Sequence, residues 1–217
     1  MIAAVQRTAA KVWAAVPRPV RRLLRHELVL WACLLRWVAR SGPHGVGRGD
    51  TAAGYNRGQT AIMYGILFAS VVETVVLALI IPWPLVHLIV LIVDLWGVWF
   101  AFAFIASCAV RPHVVGADGS LRVRYGALVD IRIPAGMVAS VRADRRYAHG
   151  GGLLNLSDDD TVGLAVAGET NVTVELAEPV RFSRPMGKPA RARTVRFYAD
   201  DPRAVVAALG ADQSRIR

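Results

Sequence analysis

The sequence predicts a membrane protein made of an α-helical hairpin and a soluble, mainly-β domain. Two apolar runs, residues 60–81 and 85–107, are separated by only three residues. At about 1.5 Å per residue each run is roughly 33 Å long as a helix, enough to cross a hydrocarbon core of about 30 Å. After residue 111, apolar residues alternate with polar ones instead, which is typical of half-buried strands.

The distribution of charge predicts how the chain sits in the membrane. The net charge is +10, and residues 1–59 alone contain ten basic residues against two acidic ones, whereas the loop at 82–84 has no charge. Lys and Arg near span ends are retained on the cytoplasmic side. We therefore expect a multi-pass protein of the inner cell membrane with both termini in the cytoplasm.

Four segments follow from these patterns. We expect basic amphipathic interfacial helices at 1–40, a Gly-rich linker at 41–59, the transmembrane helical hairpin at 60–107 and the β domain at 112–210. Only the last segment is long enough to form an ordinary domain with a single core.

Residues 18–40 separate into two sectors on a helical wheel. The basic sector contains Arg18, Arg22, Arg25, Arg36 and Arg40, and the apolar sector includes Trp31 and Trp37. A cationic amphipathic helix with Trp at its edge is typical of a helix lying in the headgroup plane of a bilayer. The alternative is a helix packed on a partner protein or on the β domain. We do not expect nucleic-acid binding, because an aromatic apolar face suits lipid better than phosphate. Residues 2–16 repeat the pattern more weakly.

Each apolar run carries one acidic residue near its middle, Glu73 or Asp94. Counted from the turn, both lie about 14 to 15 Å along their helices, close to the bilayer midplane. We expect small residues on the same faces to let the helices approach and to bring the two acids together, with at least one protonated. Those small residues are Gly65, Ala69, Gly97 and Ala101. His87 lies on the Asp94 face, about 10 Å nearer the turn.

Ionisable residues inside a span are functional candidates, and three interpretations of Glu73 and Asp94 stay open. They are an acid pair that locks the hairpin, a contact with a basic residue of another membrane subunit, and a proton or ion path.

The segment after residue 111 predicts about seven strands followed by one helix. Apolar and polar residues alternate, or short apolar runs occur, at 121–125, 129–133, 138–142, 162–166, 171–176 and 194–198. For the closing helix, Asp200 or Asp201 supplies the cap, Pro202 the first turn and Gly210 the stop.

This order, with Ile133-Pro134 leading into residues 138–142 and an Asp-Asp-Pro-Arg run at 200–203 before the helix, resembles the bacterial pleckstrin-homology-like domains. Such domains often stand beside transmembrane hairpins in actinobacterial membrane proteins. The resemblance covers roughly residues 112–210. It implies a bent antiparallel β-barrel with a C-terminal capping helix, which acts as a binding scaffold without chemistry of its own.

A basic loop between the last two predicted strands is the candidate binding site of this domain. Its candidate residues are Arg181, Arg184, Lys188, Arg191 and Arg193. A basic loop tethered under an anionic leaflet would hold phospholipid headgroups or a partner. A solvated loop that reflects the positive-inside bias is the equally weighted alternative.

The chain contains no nucleophile elbow, phosphate loop or zinc-protease motif. We therefore expect no catalytic residue, metal or cofactor. The expected function is a non-enzymatic inner-membrane scaffold whose PH-like module binds a protein partner or anionic headgroups. The alternative is an accessory subunit of a membrane transport or secretion complex that uses Glu73 and Asp94 for proton coupling or subunit contact. The expected partners are membrane lipid and another membrane protein or a second copy of the chain.

Overall fold

The computed structural model describes residues 17–147, 152–157 and 159–213 of the chain. The weaker amphipathic pattern predicted at 2–16 lies outside the described residues. Helix α1 is Arg18–Val38, α2 is Thr60–Ile80 and α3 is Pro84–Val110. Nine strands and a last helix, α4 at Pro202–Gln213, complete the described part.

Helices α2 and α3 form the two apolar helices that the sequence predicts. Both are long and apolar enough to cross a membrane, and three residues join them. No residue of α2 is buried within the structure, as expected of a helix surrounded by lipid. Helix α3 starts at Pro84, in the first turn where the missing N–H of proline costs nothing. It ends three residues later than predicted, at Val110, because its last turns are covered by the rest of the protein.

The β domain consists of two sheets. The first has the order β1-β2-β3-β4, with strands Thr51–Ala53, His113–Val115, Leu121–Tyr125 and Val129–Ile133. The second has the order β5-β8-β9-β7-β6. Its strands are β5 Val138–Tyr147, β6 Leu154–Leu156, β7 Thr161–Leu164, β8 Glu169–Ser183 and β9 Pro189–Phe197.

The expectation of a bent antiparallel β-barrel is wrong in two respects. The two sheets do not close into a barrel: β4 and β5, which follow each other in the chain, belong to different sheets. Pro134 lies between them and cannot donate to a ladder. In addition, β7 pairs with β9 in parallel, from Thr161↔Thr194 to Leu164↔Phe197. In the order of the second sheet, β9 lies between β8 and β7. Strand β7 therefore pairs with β9 and not with β8, the strand that follows it in the chain.

The segment predicted as a Gly-rich linker contains part of the β domain. Residues Thr51–Ala53 form β1, which pairs with β2 through Ala53↔His113. Tyr55 is fully buried, and its hydroxyl accepts a hydrogen bond from the Gly126 amide at 2.7 Å. A three-residue strand has too little periodicity to be recognised, and its partner lies some 60 residues away in sequence.

The core of the β domain lies between the two sheets and α4. Val123, Val172 and Phe197 are fully buried, and α4 covers them with Val205 and Leu209. The Asp201 carboxylate accepts a hydrogen bond from the Ala204 amide at 3.0 Å, which caps the start of α4 as predicted. The expected stop at Gly210 is wrong, because the helix continues to Gln213.

His113 is the histidine buried in this core. Its Nδ1 accepts a hydrogen bond from the Arg124 amide at 3.0 Å, so Nε2 carries the proton and donates to the Tyr198 carbonyl at 2.9 Å. The ring also contacts the rings of Tyr55 and Phe197. Burial lowers the pKa of His113 to about 4. The imidazole is therefore neutral and has a structural role.

This burial predicts a loss of stability in acid. Between the unfolded pKa of about 6.5 and the folded pKa of about 4, the unfolded chain binds the extra proton, so stability falls as the pH falls through that window. The free energy of unfolding should drop by up to about 3 kcal/mol from this group. In the variant His113→Gln this part of the slope should vanish, as measured by hydrogen exchange of β3 and β9 amides at pH 7 and 5. An unchanged slope in the variant would contradict the assignment.

Candidate functional site

Helix α1 packs on the domain-proximal end of α3. Leu30, Cys33 and Leu34 are buried, and Leu30 and Leu34 cluster with Ala103 and Ala106 of α3. Two ring contacts support this packing, Trp31 on Trp99 at 4.9 Å and Trp37 edge-on to Phe102 at 5.5 Å between centroids.

Only part of the apolar sector of α1 is used in this packing. Leu23, Leu28, Leu35 and Val38 stay largely exposed. The sequence allows two interpretations of helix α1, as interfacial or as packed on protein. The two interpretations therefore describe different edges of its apolar sector. The edge against α3 is protein-packed, and the other edge is free to meet lipid.

The basic sector of α1 faces the β domain. Arg22, Arg25 and Arg36 line a cavity of about 790 Å³ between α1 and strands β3 and β4. Arg36 also donates from Nε to the Gly42 carbonyl at 3.0 Å. Arg40 follows the helix and is exposed with a positive φ of 50°, and the side chain of Arg18 lies outside the described part of the chain.

The basic loop predicted between the last two strands is the tip of the long β8–β9 hairpin. Arg181 and Arg191 lie directly opposite each other in the ladder, and a short 3₁₀ turn at Pro185–Gly187 closes the tip. The five predicted basic residues are all exposed: Arg181, Arg184, Lys188, Arg191 and Arg193. We call this segment, residues 181–193, the hairpin tip.

The hairpin tip meets α1. The guanidinium of Arg22 lies so close to Gly187 that a β-carbon there would stand 2.6 Å from its Cζ atom. Gly187 also has φ +79°, a conformation that glycine adopts at little cost. The structure thus brings together two basic segments that the sequence separates by some 160 residues.

A second basic cluster surrounds Asp130 on the first sheet. Arg122 donates two hydrogen bonds to this carboxylate, at 2.7 and 2.5 Å. Arg111 reaches it at 3.4 Å, and Arg124 and Arg132 each lie 3.9 Å from it. Burial would raise the pKa of Asp130, but the hydrogen bonds and charges of these arginines outweigh it and hold the pKa below its usual value. The carboxylate of Asp130 is therefore the shared counter-charge of four arginines.

Arg124 is the largest side chain with no exposed surface. Its Nη1 donates to the His44 carbonyl at 2.7 Å, and the His44 amide donates to Val110 at the end of α3. Its Nε and Nη2 have no hydrogen-bond partner. Burial, with the repulsion of Arg122, lowers the pKa of Arg124 to about 10, so it remains charged at pH 7. Arg124 ties the loop after α1 to the β domain.

The Asp130 cluster was not among the predicted sites, although the sequence holds a signal for it. In Leu-Arg-Val-Arg-Tyr and Val-Asp-Ile-Arg-Ile the polar positions alternate, so they share one face of β3 and β4. The register Arg124↔Asp130 and Arg122↔Arg132 completes the cluster. Arg111 could not be placed there from sequence, since it comes from the end of α3.

The acidic residues and the histidine of the two apolar helices are arranged differently from the prediction. Glu73 is exposed on α2 and Asp94 is half-buried on α3, and within the described residues neither makes a hydrogen bond or an ion pair. The expected approach through small residues is wrong: a β-carbon at Gly65 or Gly97 would meet no atom within 4 Å. His87 is half-buried on the same face as Asp94.

The chain has no match among protein-family models, curated proteins or solved structures. The resemblance to PH-like domains therefore stays a prediction. Function must be inferred from the arrangement of the basic residues and of the intramembrane acids.

The Asp130 cluster yields a prediction about stability. Asp130→Asn keeps the size of the side chain but leaves Arg111, Arg122 and Arg124 without their shared counter-charge. Asp130 is 27% exposed, so we expect a loss of about 2 to 3 kcal/mol, less than for a fully buried pair. Hydrogen exchange of β3 and β4 amides would measure it.

The matched control is Asp144→Asn on the exposed strand β5. Asp144 is 27% exposed like Asp130, accepts a hydrogen bond from Arg146 at 2.7 Å and lies 3.8 Å from Arg142. Its two partner arginines are about half exposed, however, whereas Arg111 and Arg124 beside Asp130 are only 12% and 0% exposed. No measurable change is expected there. Equal effects of the two substitutions would show that the Asp130 cluster has no special part in stability.

Proposed function

We propose that this protein is a non-enzymatic membrane scaffold that holds a PH-like β domain against anionic lipid headgroups at the cytoplasmic face of the inner membrane. The observation that carries the proposal is the contact of Arg22 with Gly187, since it joins the basic sector of α1 and the hairpin tip into one surface. This surface lies beside the end of a helix long and apolar enough to cross a membrane.

The lengths of the helices support this placement. Helix α3 has 27 residues and is about 40 Å long, whereas the hydrocarbon core is about 30 Å thick. Its last turns therefore extend beyond the lipid tails when its first turn lies at the opposite surface. Helix α1 packs on α3 between Trp99 and Ala106, near the level at which α3 leaves the hydrocarbon.

At that level the two exposed sectors of α1 match their surroundings. Leu23, Leu28 and Leu35 would meet the boundary of the acyl chains, and headgroups would reach the exposed Arg22 and Arg25 where α1 faces the β domain. Each Lys or Arg near an anionic leaflet contributes on the order of 1 kcal/mol of attraction. The basic excess on this side also agrees with retention of Lys and Arg in the cytoplasm.

The hairpin tip has a charge arrangement that costs stability within the protein itself. Arg181 and Arg191 face each other across the ladder, and within the described residues neither forms an ion pair with an acidic residue. Like charges directly opposite in a ladder are destabilising. An anionic surface outside the protein would offset this cost.

The buried polar groups support a binding role over a catalytic one. His113 has both ring nitrogens engaged by backbone groups, and the Tyr125 hydroxyl donates to Gln59 at 2.5 Å. These groups join the first sheet to the residue that follows β9 and to the residue that precedes α2. They are packed inside the domain, away from the surface where a substrate would bind.

The proposal predicts a salt-dependent contact between the hairpin tip and acidic lipid. The sample is the full chain in proteoliposomes whose lipid headgroups carry a quencher. A fluorophore is attached to the variant Ser183→Cys, since Cys33 and Cys108 are buried and unreactive. Quenching should rise when phosphatidylglycerol is added and fall at 1 M salt, where the Debye length is only about 3 Å. Arg184→Gln with Lys188→Gln should weaken the contact by about 2 kcal/mol.

The control removes two positive charges elsewhere, with Arg142→Gln on β5 and Arg203→Gln on α4. This variant should behave like the original protein. Equal quenching in neutral and acidic liposomes, or equal loss in the two double variants, would exclude a specific contact of the hairpin tip with the leaflet.

A second candidate function rests on Glu73. An exposed acid at mid-span would face hydrocarbon, where a charged or unpaired polar group is costly. A polar or basic group from another membrane subunit, or from a second copy of this chain, would remove that cost. This favours the accessory-subunit interpretation, with Glu73 as the outward contact.

The two acids should then differ in their effect on assembly. Glu73→Gln should reduce the mass of the complex measured by light scattering in mild detergent, because it removes the outward carboxyl group. Asp94→Asn should not, since Asp94 is half-buried on α3 and offers less surface to another subunit. If Glu73→Gln leaves the assembly mass unchanged, Glu73 is not an intersubunit contact.

A further inference from the structure

The cavity between α1 and the first sheet has a positive charge that its own residues do not neutralise. Six arginines line it, and among its described lining residues Asp130 is the only acidic one. The arginines are Arg22, Arg25, Arg36, Arg111, Arg122 and Arg132. They come from α1, from the end of α3 and from β3 and β4, so the cavity is built by three parts of the chain.

Hydrogen-bond donors at this cavity exceed the acceptors that the protein supplies. The Asp130 carboxylate is already occupied by Arg122, and the buried Nε of Arg111 has no partner. Arg124 does not line the cavity, but its Nε lies 3.9 Å from the same carboxylate, so this fully buried guanidinium adds to the positive charge there. Guanidinium groups in this arrangement are satisfied by anionic oxygens, which they bind through pairs of parallel hydrogen bonds.

His44, on the wall of the cavity, senses the same positive field. Burial lowers its pKa, and the charges of Arg111, Arg124, Arg36 and Arg122 lower it further. The imidazole therefore stays neutral at pH 7 and adds no positive charge of its own. The field arises from the arginines alone.

The size and walls of the cavity indicate what it would bind. A volume of about 790 Å³ is typical of a site for a small organic molecule and far exceeds that of a single phosphate ion. Val29, Ala32 and Ala127 give it apolar stretches beside the arginines. The exposed leucines of α1 lie on the same helix, within reach of acyl chains.

We propose that this cavity binds the phosphate headgroup of an acidic membrane lipid, and that a headgroup with two phosphates, as in cardiolipin, fits its charge best. The inference rests on the proposed function, because the cavity meets lipid only when α1 lies at the membrane surface. It goes further in assigning one stoichiometric site, in place of a diffuse attraction between the basic surface and the leaflet. The phosphates pair with Arg25, Arg36 and Arg132, and Arg111 binds from the floor.

Native mass spectrometry of the full chain in neutral detergent tests this assignment. With cardiolipin added, one lipid should be retained per chain, more strongly than phosphatidylglycerol and far more strongly than phosphatidylcholine. The double variant Arg25→Gln with Arg132→Gln should bind cardiolipin about a hundredfold more weakly, at roughly tenfold per charged hydrogen bond. Both side chains are exposed, so the fold should survive.

The matched control is Arg181→Gln with Arg191→Gln, which removes the same charge from the hairpin tip outside the cavity. It should retain the single lipid. The charge-preserving variant Arg25→Lys with Arg132→Lys should restore part of the affinity, because lysine keeps the charge but not the paired hydrogen bonds, and this recovery separates lost binding from misfolding. Retention of cardiolipin by the cavity variant would overturn the proposal. Equal loss in the cavity and tip variants would also overturn it, while leaving the diffuse attraction of the proposed function intact.

A soluble phosphate compound is the other source of the same chemistry. Inorganic pyrophosphate, added as a competitor, should displace cardiolipin only at high concentration if the acyl chains contribute to binding. Tight binding of pyrophosphate with no retention of lipid would overturn the assignment to a membrane lipid and identify a soluble ligand. The quenching experiment on the hairpin tip does not depend on this result, so the two proposals can fail separately.

Discussion

The last turns of α3 are packed on two sides at once, and the position of every other part depends on this packing. On one side Ala103 and Ala106 meet Leu30 and Leu34 of α1. On the other side Cys108 belongs to the core of the β domain. Burial of a leucine contributes about 1.5 to 3 kcal/mol. A helix that ends inside a domain core cannot turn independently of that domain.

The close approach of α3 to the first sheet requires glycine at one position. Gly126 lies in the β3–β4 turn with φ +49°, and a β-carbon there would stand 2.6 Å from the Ser107 hydroxyl. The His44 amide bonds to Val110, and Arg124 holds the His44 carbonyl, so the loop after α1 is fixed to the same place. The cavity between α1 and the first sheet thus has rigid walls. Arg36, Arg111 and Arg122 are held in place by hydrogen bonds before any ligand arrives.

Much of the fold follows from local pattern. The apolar runs predict α2 and α3 within three residues at each end, and alternation predicts β3 and β4 at their observed bounds. Strand β1 could not be predicted, because three residues carry no periodicity and the pairing with β2 is distant in sequence. The parallel pair of β7 and β9 depends on strand order, which alternation does not encode.

The candidate sites, like the fold, are predictable where they depend on local sequence and not where they depend on how distant segments are arranged. Composition predicts that α1 and the hairpin tip are basic, but their contact at Gly187 depends on how the two sheets and α3 are arranged. The prediction that small residues bring Glu73 and Asp94 together is wrong for a related reason. Small residues on two helices indicate a packing face only if the helices are rotated toward each other, and here Gly65 and Gly97 point to open space.

The arrangement of arginines around Asp130 costs stability, and the same arrangement supports the proposed binding of an anion. Four arginines around one carboxylate repel one another, and burial of Arg124 adds the cost of removing a charge from water. Natural proteins keep such locally unfavourable arrangements mainly where they serve function. A ligand that binds only the folded state stabilises it by RT ln(1 + [L]/Kd), about 2.7 kcal/mol at a hundredfold excess over Kd. An anion in the cavity would therefore strengthen the joint between α1, α3 and the first sheet, so that firm attachment of the β domain becomes coupled to the lipid at its surface.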